Sequence, residues 1–156
     1  MIKPEPTVKA IGPSGKVVTL KKGTDYKLEY FNNRLVGNAT LNIKGIGNYG
    51  GILHYTFNIN PKPTTISKLT SSSKGFKVTW AERTAQVTGY QIRYSTNASM
   101  SNSKTVTISS SDKVSKKINN LKANKKYYVQ VRTYKTVKSK KYYSKWSSKK
   151  YVTTKA

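Results

Sequence analysis

Five carboxylates occur in this 156-residue chain: Glu5, Asp25, Glu29, Glu82 and Asp112. Two of them opposed across a cleft could divide the acid and base work of glycoside hydrolysis. Asp25 and Glu29 are four residues apart, which on an extended strand puts both on one face of that strand rather than on facing walls. Glu82 falls at a strand end, and all five read as surface or turn residues. His54 is the single histidine. A nucleophile–histidine–acid relay needs an acid and a hydroxyl beside it, but His54 alternates with Leu53 and Tyr55 and so belongs on the solvent side of a strand. With no cysteine and no second histidine, the usual zinc donor set is missing. No catalytic residue and no metal ligand is expected.

Gly45-x-Gly47-x-x-Gly50 spells the dinucleotide fingerprint, which requires a helix after it to receive the pyrophosphate. Here Ile52-Leu-His-Tyr-Thr-Phe-Asn-Ile59 follows, a strand pattern, and no acid lies between Glu29 and Glu82 to hold a ribose. The three glycines read as a turn, and no cofactor is expected. Ser71-x-x-Lys74 and Ser110-x-x-Lys113 match a penicillin-binding fragment that opens a helix in a far larger fold, so both are chance spacings. Asn38-Ala-Thr40 and Asn97-Ala-Ser99 are glycosylation-type triplets.

The lysines are the one functional candidate. Residues 1–61 hold eight basic and three acidic side chains, and residues 62–156 hold 22 and two. Lys135, Lys138, Lys140, Lys141, Lys145, Lys149 and Lys150 cluster beside Tyr134, Tyr142, Tyr143 and Trp146, and Lys113, Lys116, Lys117, Lys122, Lys125 and Lys126 add to them. Such a surface attracts polyanions: wall teichoic acid, anionic glycan or lipid, or nucleic acid. Alternatively it is a solvated face that keeps the chain soluble. Specific nucleic-acid reading is set aside, because lysine lacks the bidentate fork that base and phosphate recognition uses. The interleaved aromatics also belong to the fold's core and its edge rather than to a stacking platform.

These residues hang on a chain that alternates apolar and polar positions with period 2, the mark of strands with one buried face. In the first half the alternating sets are Tyr26, Leu28 and Tyr30; Ala39, Leu41 and Ile43; and Leu53, Tyr55, Phe57 and Ile59. Gly12–Gly15, Lys22–Asp25, Asn32-Asn33 and Gly45–Gly51 separate them as turns. Asn60-Pro61-Lys62-Pro63-Thr64 then reads as a short, stiff connector, expected to hold its flanks semi-rigidly. The second half carries Ile66 and Leu69; Phe76, Val78 and Trp80; Tyr90, Ile92 and Tyr94; Val106 and Ile108; Val114 and Ile118; Tyr127, Val129 and Val131; and a last strand from Tyr142 through Val152. Seven strands at roughly ten-residue spacing predict a β-sandwich. No run is long and apolar enough to span a membrane.

Residues 64–154 resemble a fibronectin type III domain of the kind carried by secreted proteins of Gram-positive bacteria. Trp80 falls at the family's core tryptophan, and Gly89-Tyr90-Gln-Ile92-Arg-Tyr94 at its third strand. Leu121 and Tyr127 match its tyrosine corner, in which the hydroxyl bonds back to main chain near the leucine. Tyr143-Ser-Lys-Trp146-Ser resembles the approach to its last strand. Ala123 stands where the family often has proline, and no Arg-Gly-Asp is present, so integrin recognition is not implied. The first half is similar to a bacterial immunoglobulin-like repeat, through Asp25-Tyr26-Lys-Leu28-Glu-Tyr30, Asn32-Asn33 and Gly45-Ile-Gly47-Asn48-Tyr49-Gly50. That family usually begins one strand before Met1.

The expectation is therefore an all-β chain of two tandem immunoglobulin-like β-sandwiches, residues 1–61 and 62–156. The resemblances imply a non-catalytic spacer or interaction module, an internal piece of a larger secreted or cell-surface bacterial protein. Its partners would be other domains of the same polypeptide, an anionic cell-wall polymer, or a host or cell-surface protein or glycan.

Overall fold

The computed structural model describes every residue, Met1–Ala156. All of its regular elements are strands. The chain divides into two compact units, Met1–Ile59 and Asn60–Ala156.

In the first unit β1 (Lys9–Ile11) and β2 (Val17–Thr19) form a two-stranded ribbon, while β3 (Tyr26–Phe31), β4 (Gly37–Gly45) and β5 (Ile52–Ile59) form an antiparallel sheet in that order. The ribbon is an addition to the strands read from the sequence. Its flanking residues Val8 and Leu20 join Tyr26, Leu28, Leu41, Ile43 and Phe57 in one small apolar cluster. Strand β4, paired on both edges, buries Ala39, Leu41 and Ile43 as its alternation predicts. Strand β5 departs from expectation. Leu53 is 54% and Tyr55 53% exposed, because nothing covers this end of the sheet and the other edge of β5 makes no backbone bond. Asp25 also differs: it lies in the turn ahead of β3, not on the strand with Glu29. Its carboxylate accepts the Lys21 N–H at 2.7 Å, which closes that turn back on its own start.

The second unit contains two facing sheets. One is β10 (Ser115–Ile118), β7 (Gly75–Trp80) and β6 (Ile66–Ser72), in that order. The other runs β12 (Lys140–Tyr143), β11 (Lys126–Val137), β8 (Gly89–Ser95), β9 (Lys104–Ile108), with β13 (Lys150–Thr153) also pairing β11. Between them Phe76, Val78, Trp80, Tyr90, Ile92, Tyr127, Val129 and Val131 close a single core. Burying each of these large side chains contributes about 1.5–3 kcal/mol. Trp80 is 2% exposed and packs 5.1 Å from the Tyr90 ring across the sheets, although its indole N–H has no partner. The tyrosine corner forms as the resemblance implies, with the Tyr127 hydroxyl accepting the Lys122 N–H at 3.2 Å.

Two features differ from the sequence reading. Strand β8 is buried on both faces, Gln91 and Ser95 included. The expected single last strand is two, which makes eight strands in this unit rather than seven. Residues 144–149 leave the ladder between β12 and β13, because the hydroxyls of Ser144 and Ser147 take over as acceptors for the N–H groups of Thr133 and Val131, both at 3.1 Å. Trp146 therefore sits on this bridging segment. The connector is also partly absorbed. Lys62 carbonyl accepts from Thr133 Oγ1, Pro63 carbonyl from Arg83 Nε, and Thr64 Oγ1 donates to Ala81 carbonyl, all within the second unit.

Candidate functional site on the larger sheet

The outer face of the larger sheet is set by register. Residues Gln91 and Arg93 of β8 stand directly opposite Arg132 and Gln130 of β11. Each arginine bonds the glutamine facing it. Arg93 Nε and Nη2 donate to Gln130 Oε1 at 3.0 and 2.7 Å, and Arg132 Nε and Nη2 donate to Gln91 Oε1 at the same distances. The amide ends are satisfied in turn, Gln91 by Thr107 Oγ1 and Gln130 by the Ser147 carbonyl. Trp146 comes over both arginines, 4.5 Å from the Arg93 guanidinium and 4.3 Å from that of Arg132, and Tyr143 lies 3.9 Å from Arg132. Burial pulls both guanidiniums below their ordinary pKa, and for Arg132 the nearby Arg93 charge adds to this. The stack engages both arginines and both glutamines in holding the bridging segment to the sheet. It is a fastening rather than an open platform.

The seven lysines singled out in the sequence do not share one face. Lys138 occupies the β11–β12 turn, where it and Ser139 have φ of 45° and 66°. Lys141 pairs with Thr136 on the outer face, its ammonium 5.3 Å from the Tyr134 ring. Lys135 and Lys140 lie on the opposite parity, Lys140 5.1 Å from the Tyr142 ring. Lys145 is on the bridging segment, Lys149 donates to the Ala98 carbonyl at 2.5 Å, and Lys150 pairs with Val129 near the far end of β11. The hairpin lysines and Lys150 are thus separated by about 20 Å, six residues of strand. That exceeds the screening length of physiological salt. No lysine or arginine of this unit has a carboxylate partner, since both ion pairs, Lys22–Glu5 and Lys27–Glu29, lie in the first unit.

The remaining chemical candidates are dispersed. His54 is exposed on β5, its Nδ1 2.7 Å from Asn42 Oδ1. Asp112 accepts from Ser111, and no three His, Cys, Asp or Glu side chains lie together. The arginine stack was missed in the sequence. Its available signal was composition: two of only four arginines, in a lysine-dominated chain, fall at polar positions of strands that also carry glutamines.

Two facing sheets of three and five strands, closed over Trp80 and fastened at a tyrosine corner, define an immunoglobulin-like β-sandwich. The fibronectin type III domain family model matches residues 60–150, and the chain belongs to that family. Among solved structures, the FN1–FN3 domains of chicken CNTN1 superpose with a TM-score of 0.54 at 22% identity, over 80% of this chain and 45% of theirs. A β-1,2-glucanase from Parabacteroides distasonis superposes with a TM-score of 0.50 at 15% identity, over 76% of this chain and 18% of its own. These likenesses carry the fold alone. The chain spans less than half the length of either solved chain. No curated protein matches it.

Proposed function

We propose that the chain is a non-catalytic spacer and interaction module of a larger secreted or cell-surface bacterial protein. The first unit would be a bacterial immunoglobulin-like repeat, and the link at residues 60–64 the boundary between two domains. The observation that carries this reading is the family match over residues 60–150, joined to a polar face spent on internal fastening. A test is replacement within the full-length polypeptide. An unrelated pair of β-sandwiches of equal length put in place of residues 1–156 should preserve the activity of neighbouring domains. Loss of that activity would refute a spacing role.

A second reading has its own support: the 22 basic side chains of residues 62–156 face two acids and form no ion pair. On this reading the second unit holds anionic polymers such as teichoic acid or anionic glycans, through Lys135, Lys138, Lys140, Lys141, Lys145, Lys149 and Lys150. Retention on such a polymer should weaken steeply as salt rises, and replacing Lys138, Lys140 and Lys141 by glutamate should abolish it. Retention unchanged by those substitutions leaves the hairpin a solvated face.

A further inference from the structure

A cleft of about 430 Å³ opens at one end of the second unit, where the end of β8 meets the turns ahead of β9 and β11. Tyr94, Asn102, Lys104, Asn120, Lys122 and Lys125 contribute to its wall. Tyr94 is nine-tenths buried, its ring held edge-on to Phe76 at 5.9 Å and to Tyr127 at 6.2 Å. A buried phenol ordinarily finds a hydrogen-bond partner. The other core tyrosines do so: Tyr90 donates to the Ser111 carbonyl and Tyr127 accepts from Lys122. Tyr94 lines the cleft, and its hydroxyl, which makes no hydrogen bond within the protein, is left to solvent there. The amides of Asn102 and Asn120 and the ammonium groups of Lys104, Lys122 and Lys125 are equally unengaged. No carboxylate lines the wall. The backbone beneath them is tied down: the Lys122 and Lys125 N–H groups donate to the hydroxyls of Tyr127 and Thr154, and the Ser95 hydroxyl donates to the Ser101 carbonyl.

We propose that this cleft binds an anionic saccharide or polyol unit, a phosphate or carboxylate bound by the three lysines while its hydroxyls meet Tyr94 and the two asparagines. The chemistry follows from the wall. Three positive charges carried close together, with no acid beside them, favour an oxyanion. Two amides and a phenol that can both donate and accept suit a ligand rich in hydroxyls. The side of Leu121 offers the apolar contact a sugar ring uses. The volume lies in the range of small-molecule sites and admits about one or two such units. Tyr94, like any phenol, is protonated at neutral pH and so is available as a donor. None of these residues is among the seven hairpin and edge lysines, so the cleft is a separate locus. The proposal deepens the anionic-polymer reading and rests on it.

The experiment is an amide chemical-shift titration of the full chain with glycerol-phosphate oligomers in one arm, galacturonate oligomers in a second, and neutral maltotriose in a third. Shifts should gather at residues 94–96, 102–104 and 120–127 with one or both anionic probes and not with maltotriose; the responding arm distinguishes phosphate from carboxylate as the source. Tyr94→Phe keeps the ring and removes only the hydroxyl. It should weaken binding about 3- to 10-fold with an unchanged unfolding midpoint. Combined Lys104→Gln, Lys122→Gln and Lys125→Gln should weaken it about tenfold or more. Anionic probes that shift only residues 135–150 would overturn the cleft while leaving the polymer reading standing. No binding anywhere at low salt would overturn both.

Discussion

Replacing Arg132 by alanine tests whether the polar face of the larger sheet is a fastening. Arg132 donates twice to Gln91 Oε1, at 3.0 and 2.7 Å, and lies 3.9 Å from the Tyr143 ring and 4.3 Å from the Trp146 ring. A charge-assisted hydrogen bond contributes about 1.5–3 kcal/mol. Each half-exposed cation–π contact adds about 0.5–1 kcal/mol. Repulsion from Arg93, which shares the Trp146 ring, offsets about 1 kcal/mol of this. The expected cost is about 2–3 kcal/mol, or a fall of about 10–20 °C in the unfolding midpoint for a unit of this size. Arg132→Lys should lose about 1 kcal/mol, because an ammonium keeps the charge but lacks the planar fork. Tryptophan emission during urea unfolding is the assay, since both tryptophans, Trp80 and Trp146, belong to the second unit and the first is silent. Lys145→Ala, exposed beside Trp146, is the control and should stay within about 0.5 kcal/mol of the parent. An Arg132→Ala protein as stable as that control would refute the fastening.

Further outcomes follow from the same geometry. Gly89→Ala should destabilise the second unit by about 3 kcal/mol or more, because a Cβ there would stand 2.0 Å from the Ile108 carbonyl oxygen; denaturant unfolding measures it. Salt should raise the urea midpoint of the second unit, as screening relieves repulsion among lysines that no carboxylate answers. A midpoint that falls between low and moderate ionic strength would contradict this. Burial raises the Tyr90 pKa, so the folded state favours the neutral phenol. That contribution is complete below the ordinary tyrosine value near 10 and is lost as pH rises through the raised folded value. The second unit should therefore lose stability above pH 10, more steeply than a Tyr90→Phe variant does. In hydrogen exchange, the β5 amides of the open edge should exchange well before those of β4, which is paired on both sides.

Alternation along the chain determined much by itself. Successive residues of an extended backbone point to opposite faces, so Phe76, Val78 and Trp80, or Tyr127, Val129 and Val131, declare a buried side without knowledge of any partner. The leucine–tyrosine spacing at Leu121 and Tyr127 was legible for the same reason: the corner it makes is local. Tertiary structure decided whatever depends on which strand lies beside which. The arginine–glutamine pairs join residues 37 and 41 positions apart, and one step of register would have turned them away from each other. The same register sends Lys141 to one face of its hairpin and Lys135 and Lys140 to the other. Leu53 and Tyr55 alternate like core residues, yet alternation shows that a face is apolar and not that anything lies upon it. The cleft around Tyr94 draws its wall from three separate stretches of chain, brought together by the pairing of β8 with β9 and β11.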